Sequence, residues 1–117
     1  MKLRFITPTL HGVADYTTGL GLILVPHLLD LGNSMDLAYW LSICTGFAVW
    51  IASAFTDYRL GVFRTIPFQG HLALDLAVAV TFMIAPFAFG FTGTDAVYYW
   101  FNATVVFLVV SLSETKQ

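Results

Sequence analysis

Two stretches of this chain, from about Leu37 to Thr56 and from about Ala96 to Ser113, run the length of a membrane-spanning helix without a single charged residue. A helix rises about 1.5 Å per residue, so about 20 mostly apolar residues cross the hydrocarbon core of a bilayer. Two more stretches reach that length, from about Thr9 to Leu31 and from about Gly70 to Phe91, but these carry ionisable groups. His11, Asp15 and His27 interrupt the first, and His71 and Asp75 lie near the start of the second. Backbone polar groups in lipid must be satisfied within a helix or by a closed barrel. Barrel strands run about 9–11 residues with alternating polarity, whereas these segments are twice as long and apolar on every side. The sequence predicts four helices. Composition opposes a soluble fold, because only 10% of the residues are charged, against roughly 25% in soluble chains.

The chain also matches itself at an offset of 60 residues, with no gap: His11, Asp15 and Pro26 recur as His71, Asp75 and Pro86. Tyr39-Trp40, Phe47, Val49 and Ser53 recur as Tyr99-Trp100, Phe107, Val109 and Ser113. A repeat of this kind is one supersecondary unit used twice. The expected fold is therefore all-α: four transmembrane helices forming two tandem helical hairpins, about residues 8–56 and 67–114, in a single membrane domain. Local signals agree. Pro8 and Pro67 precede the first and third helices, where a residue lacking its N–H is tolerated. Pro26 and Pro86 fall late in those helices, positioned to kink or end them. Leu31-Gly32-Asn33-Ser34 and Gly90-Phe91-Thr92-Gly93-Thr94 read as hairpin turns. Tyr39-Trp40 and Tyr98-Tyr99-Trp100 stand where an interfacial aromatic belt would.

Orientation follows from the basic residues. Lys2 and Arg4 precede the first helix, Arg59 and Arg64 separate the second from the third, and Lys116 follows the fourth. The two opposite connections carry Asp30, Asp36 and Asp95 and neither Lys nor Arg. The positive-inside rule then places both termini and the middle loop in the cytoplasm. Asp15 interrupts the first apolar region and no A-x-A-like cleavage site is evident, so the first helix is read as retained and not as a cleaved signal. The middle loop, Asp57 to Gln69, alternates charges with Leu60, Val62, Phe63, Ile66 and Phe68. It fits either a short amphipathic segment in the headgroup region or a connector packed on the bundle.

The chemistry-bearing residues are few. The net charge of -2 and the absence of a basic stripe exclude a nucleic-acid partner. A single Cys44 excludes an internal disulfide and a cysteine metal cluster, and reads as a small core residue. No phosphate-binding glycine loop, nucleophile elbow, HExxH or CxxC is present, so an ordinary soluble enzyme has nothing to stand on in this sequence. Ser42, Thr45, Gly46 and Ser53 on the second helix and Asn102 on the fourth offer small or polar groups for close helix contact. His27 aligns with Phe87 and reads as an outer-face residue.

What remains is the repeated pair. His11 and Asp15, like His71 and Asp75, are four residues apart, which places each pair on one helix face. The first and third helices run in the same direction, so the four side chains share one depth near the cytoplasmic side, where Asp57 also lies. Three readings stand open for this candidate site. Each His can bond the Asp one turn on, with no chemistry. The groups can handle protons or ions, as intramembrane His and Asp residues do in relays. Or they can ligate a divalent metal, or supply two axial histidines to a haem. The first reading implies no cofactor.

The two-helix repeat with a proline closing its first helix, at Val25-Pro26-His27 and Ala85-Pro86-Phe87, resembles the SPW-repeat family of small bacterial membrane proteins. Only the proline of that family's Ser-Pro-Trp triplet is present. The opening His11-Gly12-Val13-Ala14-Asp15-Tyr16 is similar to an HGxxDY-like start among related membrane proteins. The resemblance implies this architecture and a bacterial inner-membrane location, and brings no activity with it. The expected partner is the lipid bilayer, and a bundle this small invites a homo-oligomer. The role expected is a structural, interaction or transport-related component, with a metal- or haem-binding redox protein as the alternative.

Overall fold

The computed structural model describes residues 3–115; Lys2 and Lys116, which contribute to the expected orientation, lie outside them. Four helices follow one another: α1 Pro8–Leu28, α2 Asp36–Ala54, α3 Phe68–Phe89 and α4 Gly93–Leu112. Among the described residues there is no strand, only the isolated bridges Ile6–Ser113 and Thr56–Ile66. The helix ends have local causes. Thr7 caps α1, its hydroxyl accepting from Leu10 N at 3.2 Å, and Pro8 occupies the first turn. Asp36 and Asp95 place negative charge in the first turns of α2 and α4. Gly90, at φ 75°, ends α3 in the left-handed conformation that glycine adopts without strain.

α2, α3 and α4 are long and apolar enough to cross a membrane. α1 equals them in length at 21 residues but falls below them in hydropathy. It is carried alongside α2, and α3 is carried alongside α4. The α1–α2 contact depends on glycine: a Cβ on Gly46 would lie 2.7 Å from Gly19 O and 2.8 Å from Ile23 Cγ1. Small residues let helix backbones approach this closely in membranes. Pro26 contributes as well. Its missing N–H leaves Leu22 O without an intrahelical donor, and Ser42 Oγ of α2 donates to that carbonyl at 2.8 Å. With its proton committed there, Ser42 Oγ accepts from Tyr98 OH at 2.6 Å. One chain of hydrogen bonds thus runs from α4 through α2 to α1.

Several expectations are corrected here. Tyr98 and Tyr99 are core residues instead of belt residues, and Tyr99 OH donates to Ala38 O at 2.6 Å. An aromatic tail with a phenol belongs in the core when a buried carbonyl awaits it. Trp40 remains exposed, and Tyr39 OH pairs with the exposed His27. Cys44 is exposed instead of buried. α1 stops at Leu28, three residues short of the expected Leu31, soon after Pro26. The middle loop divides its apolar residues: Tyr58 and Phe68 are buried with Leu72, while Val62 and Phe63 are exposed.

The end of the bundle opposite the N-terminus has its own tie. Asp95 Oδ1 accepts from Gly32 N at 2.9 Å, and Oδ2 accepts from Ser34 N at 3.0 Å and from the Ser34 hydroxyl. A carboxylate at the start of α4 therefore holds the α1–α2 turn.

Candidate functional site

His11 and His71 are each the fourth residue of a helix, where the backbone N–H makes an early helical bond, to Thr7 O at 2.8 Å and to Pro67 O at 3.0 Å. Asp15 and Asp75 follow one turn further in. The structure brings all four side chains together, with one ligand-capable atom from each lying within 4.8 Å of the others. His11 is fully buried and His71 is 1% exposed. The imidazoles meet edge to face, with ring centroids 5.4 Å apart, and Phe68 lies edge-on to His11 at 5.3 Å.

The pairing is crossed. His11 Nε2 is 2.7 Å from Asp75 Oδ2 but 3.3 Å from Asp15 Oδ1. His71 Nε2 is 2.8 Å from Asp15 Oδ2 but 3.2 Å from Asp75 Oδ2. Each histidine is nearer the carboxylate of the other hairpin than the one a turn along its own helix. The local His-to-Asp pairing contemplated from spacing alone is therefore the longer contact in both cases.

The other ring nitrogens find hydroxyls that spacing did not single out for this purpose. His11 Nδ1 is 2.7 Å from Ser113 Oγ, and His71 Nδ1 is 2.7 Å from Thr56 Oγ1. Ser113 Oγ donates to Val109 O and Thr56 Oγ1 donates to Ala52 O, each at 2.6 Å. A hydroxyl has one proton to give. Each must therefore accept from the imidazole, so both histidines carry hydrogen on Nδ1 and present Nε2 to the carboxylates. Ser113 stands 60 residues after Ser53, yet His71, 60 residues after His11, takes Thr56, three residues beyond Ser53. Ser53 Oγ is left buried without a hydrogen-bond partner. Thr56, a polar residue closing an uncharged helix, was the sequence signal for this contact.

Tyr58 was also missed. Its ring is 1% exposed and its OH donates to Asp15 Oδ2 at 3.0 Å. Burial, reinforced by the Asp15 charge, pushes the phenol well above its ordinary range and keeps it a donor. Gly12 makes room for it: a Cβ there would meet the Tyr58 ring at 3.2 Å. Asp57, a candidate by position, is exposed and lies outside the tetrad; its backbone N–H binds Ile66 O at 2.7 Å.

The tetrad is closed by aromatic rings on the loop side and opens inward. Asp15 and Asp75, with Thr18 and Asn102, border an internal cavity of about 30 Å³. Asp75, whose side chain is 13% exposed, also borders a groove of about 450 Å³ between α2 and α3. A haem does not fit between the histidines. Asp75 Oδ2, within 3.2 Å of both Nε2 atoms, stands where the iron and macrocycle would have to be. A single ion between the four donors needs no such space. No protein-family model, no curated protein and no solved structure matches this chain.

Proposed function

We propose that this is a non-enzymatic inner-membrane protein, crossing the bilayer four times with both ends cytoplasmic, whose two hairpins are clamped together by the His/Asp tetrad. The crossed pairing carries this reading. Contacts that ran along each helix would stabilise the helices separately, whereas His11 to Asp75 and His71 to Asp15 tie α1 to α3. Burial strengthens the tie, because breaking one partner of a buried pair strands the other charge. The placement of Arg4, Arg59 and Arg64 at the tetrad end supports the orientation, and the resemblance to the SPW-repeat family supports the inner-membrane location.

The exposed Arg59 and Arg64 in the loop between the hairpins provide the test. Trypsin nicks that loop in protein held in mild detergent, and gel filtration asks whether the halves stay together. Because Tyr98 to Ser42, Tyr99 to Ala38 and Asp95 to the α1–α2 turn also join the halves, denaturant is titrated in. His11→Ala with His71→Ala should lower the concentration at which the halves separate. An unchanged separation point in the double variant sinks the clamp.

One observation favours a transport-related second reading. The internal cavity continues inward from Asp15 and Asp75, and it has room and polar neighbours for a water molecule. Loss of a proton flux into liposomes on removing both histidines would support that reading, and absence of flux in the unaltered protein would end it.

A further inference from the structure

We infer that the tetrad is the binding site of one divalent transition-metal ion, held by Nε2 of His11 and His71 and by one oxygen from each of Asp15 and Asp75. The inference builds on the clamp reading, since the same four side chains join the hairpins, but it rests on different observations.

The first is an unsatisfied atom. His71 Nε2 is buried and has no hydrogen-bond partner, although Asp15 Oδ2 is only 2.8 Å away. The carboxylate approaches too obliquely for an N–H···O bond. A proton on that nitrogen lacks an acceptor in line, and a lone pair lacks a donor. Buried polar atoms of this kind are rare and costly. A cation placed between the converging donors would satisfy the lone pair.

The second is the tautomer. With Nδ1–H of each ring bonded to a hydroxyl whose own proton is already committed, both rings are oriented with Nε2 inward. A metal-bound histidine is held in this way, through its other ring N–H. Tyr58, donating to Asp15, orients a carboxylate in the same manner.

The third is size and charge. The four N···O contacts run from 2.7 to 3.3 Å. Four ligands at about 2.0–2.1 Å in a tetrahedron lie about 3.3 Å apart, close to these N···O contacts, while the donor pairs not in contact, up to 4.8 Å apart, must draw together around the ion. Two carboxylates neutralise a divalent ion, which a site inside an apolar bundle requires. Imidazole with carboxylate suits zinc, iron or manganese. One M²⁺ bound by two carboxylates and two neutral imidazoles leaves the site neutral. Asp75, bordering the α2–α3 groove, is the exposed edge of the site.

The test uses the full chain without a histidine tag, stripped with chelator in mild detergent and then offered Zn²⁺. Elemental mass spectrometry reads stoichiometry. We expect one zinc per chain. His71→Ala should abolish binding. Thr56→Val removes no ligand, and should weaken zinc by about 10–100-fold, as loss of an orienting partner does. It keeps the test decisive should His71→Ala fail to fold. Folded protein that takes no zinc, iron(II) or manganese(II), or zinc binding that survives both substitutions, overturns the site. Tetrad-dependent association of the nicked halves in protein that takes no metal would leave the clamp standing without the metal. One zinc bound by the uncut chain, with an association of the halves that the double variant does not change, would leave the metal site without the clamp.

Discussion

His11 reaches past the aspartate on its own helix: its Nε2 is 2.7 Å from Asp75 Oδ2 and 3.3 Å from Asp15 Oδ1. The same crossing at His71 makes the tetrad a junction between hairpins. Removing one member of a buried pair costs about 3–5 kcal/mol, and we expect His11→Ala to fall in that range. A double-mutant cycle on unfolding in detergent should couple His11 to Asp75→Asn by about 1–3 kcal/mol, and to Asp15→Asn by less. Equal or reversed couplings would contradict the crossed geometry.

The hydroxyls give a sharper contrast. Thr56 accepts from His71 Nδ1, whereas Ser53, one turn away on the same chain, is buried with its hydroxyl unpartnered. Thr56→Val should destabilise by about 1–3 kcal/mol, because it strands a buried donor. Ser53→Ala should be neutral or stabilising, because it removes a buried group that makes no hydrogen bond. Unfolding midpoints of the two variants decide the matter. A costly Ser53→Ala with a harmless Thr56→Val would mean that His71 uses the serine.

Tyr58 supplies a pH dependence. Its phenol is raised in the folded state, chiefly by burial, so its contribution is present in full below the ordinary tyrosine pKa of about 10. Above that pH the folded chain holds a proton that the unfolded chain gives up, and stability falls as pH rises. Tyr58→Phe should therefore lower stability by about 1–2 kcal/mol at neutral pH through loss of the bond to Asp15. The deficit should shrink above about pH 10. Unfolding of both proteins measured from neutral to alkaline pH checks this, and a gap that stays constant would place the phenol in water.

Two glycines of the first hairpin separate contact from propensity. A Cβ on Gly46 would press on Gly19 O at 2.7 Å, while one on Gly21 would meet nothing within 4 Å. Gly46→Ala should cost about 1–3 kcal/mol as α1 and α2 are forced apart. Gly21→Ala should stabilise by up to about 1 kcal/mol through helix propensity. Thermal unfolding ranks them, and similar values would remove the argument for close helix approach.

The helices were legible because their cause is local. Length, apolarity and proline or glycine at the ends are written along the chain, and α2 and α4 ended within a few residues of where charge-free sequence placed them. α1 and α3 drew support from the match at an offset of 60, which aligns His11 with His71 and Asp15 with Asp75. That same pattern identified the four residues of the tetrad, since a spacing of four puts His and Asp on one face. It could not say which His meets which Asp. A helical period fixes the face of a residue on its own helix, whereas partners across the bundle depend on how the hairpins dock. Asp57 was a candidate because of its depth, yet the loop turns it outward and turns Tyr58 in.

Sequence alone thus determined four helices, the polar pair kept twice within them, and the side on which basic charge gathers. Tertiary structure decided the crossed pairing, the choice of Thr56 over Ser53, the burial of Tyr98 and Tyr99, and the exposure of Cys44. The division has one physical reason. Hydrophobic length and helix caps act within a segment, but a buried hydrogen bond is satisfied by whichever donor or acceptor the packed neighbour brings within about 3 Å.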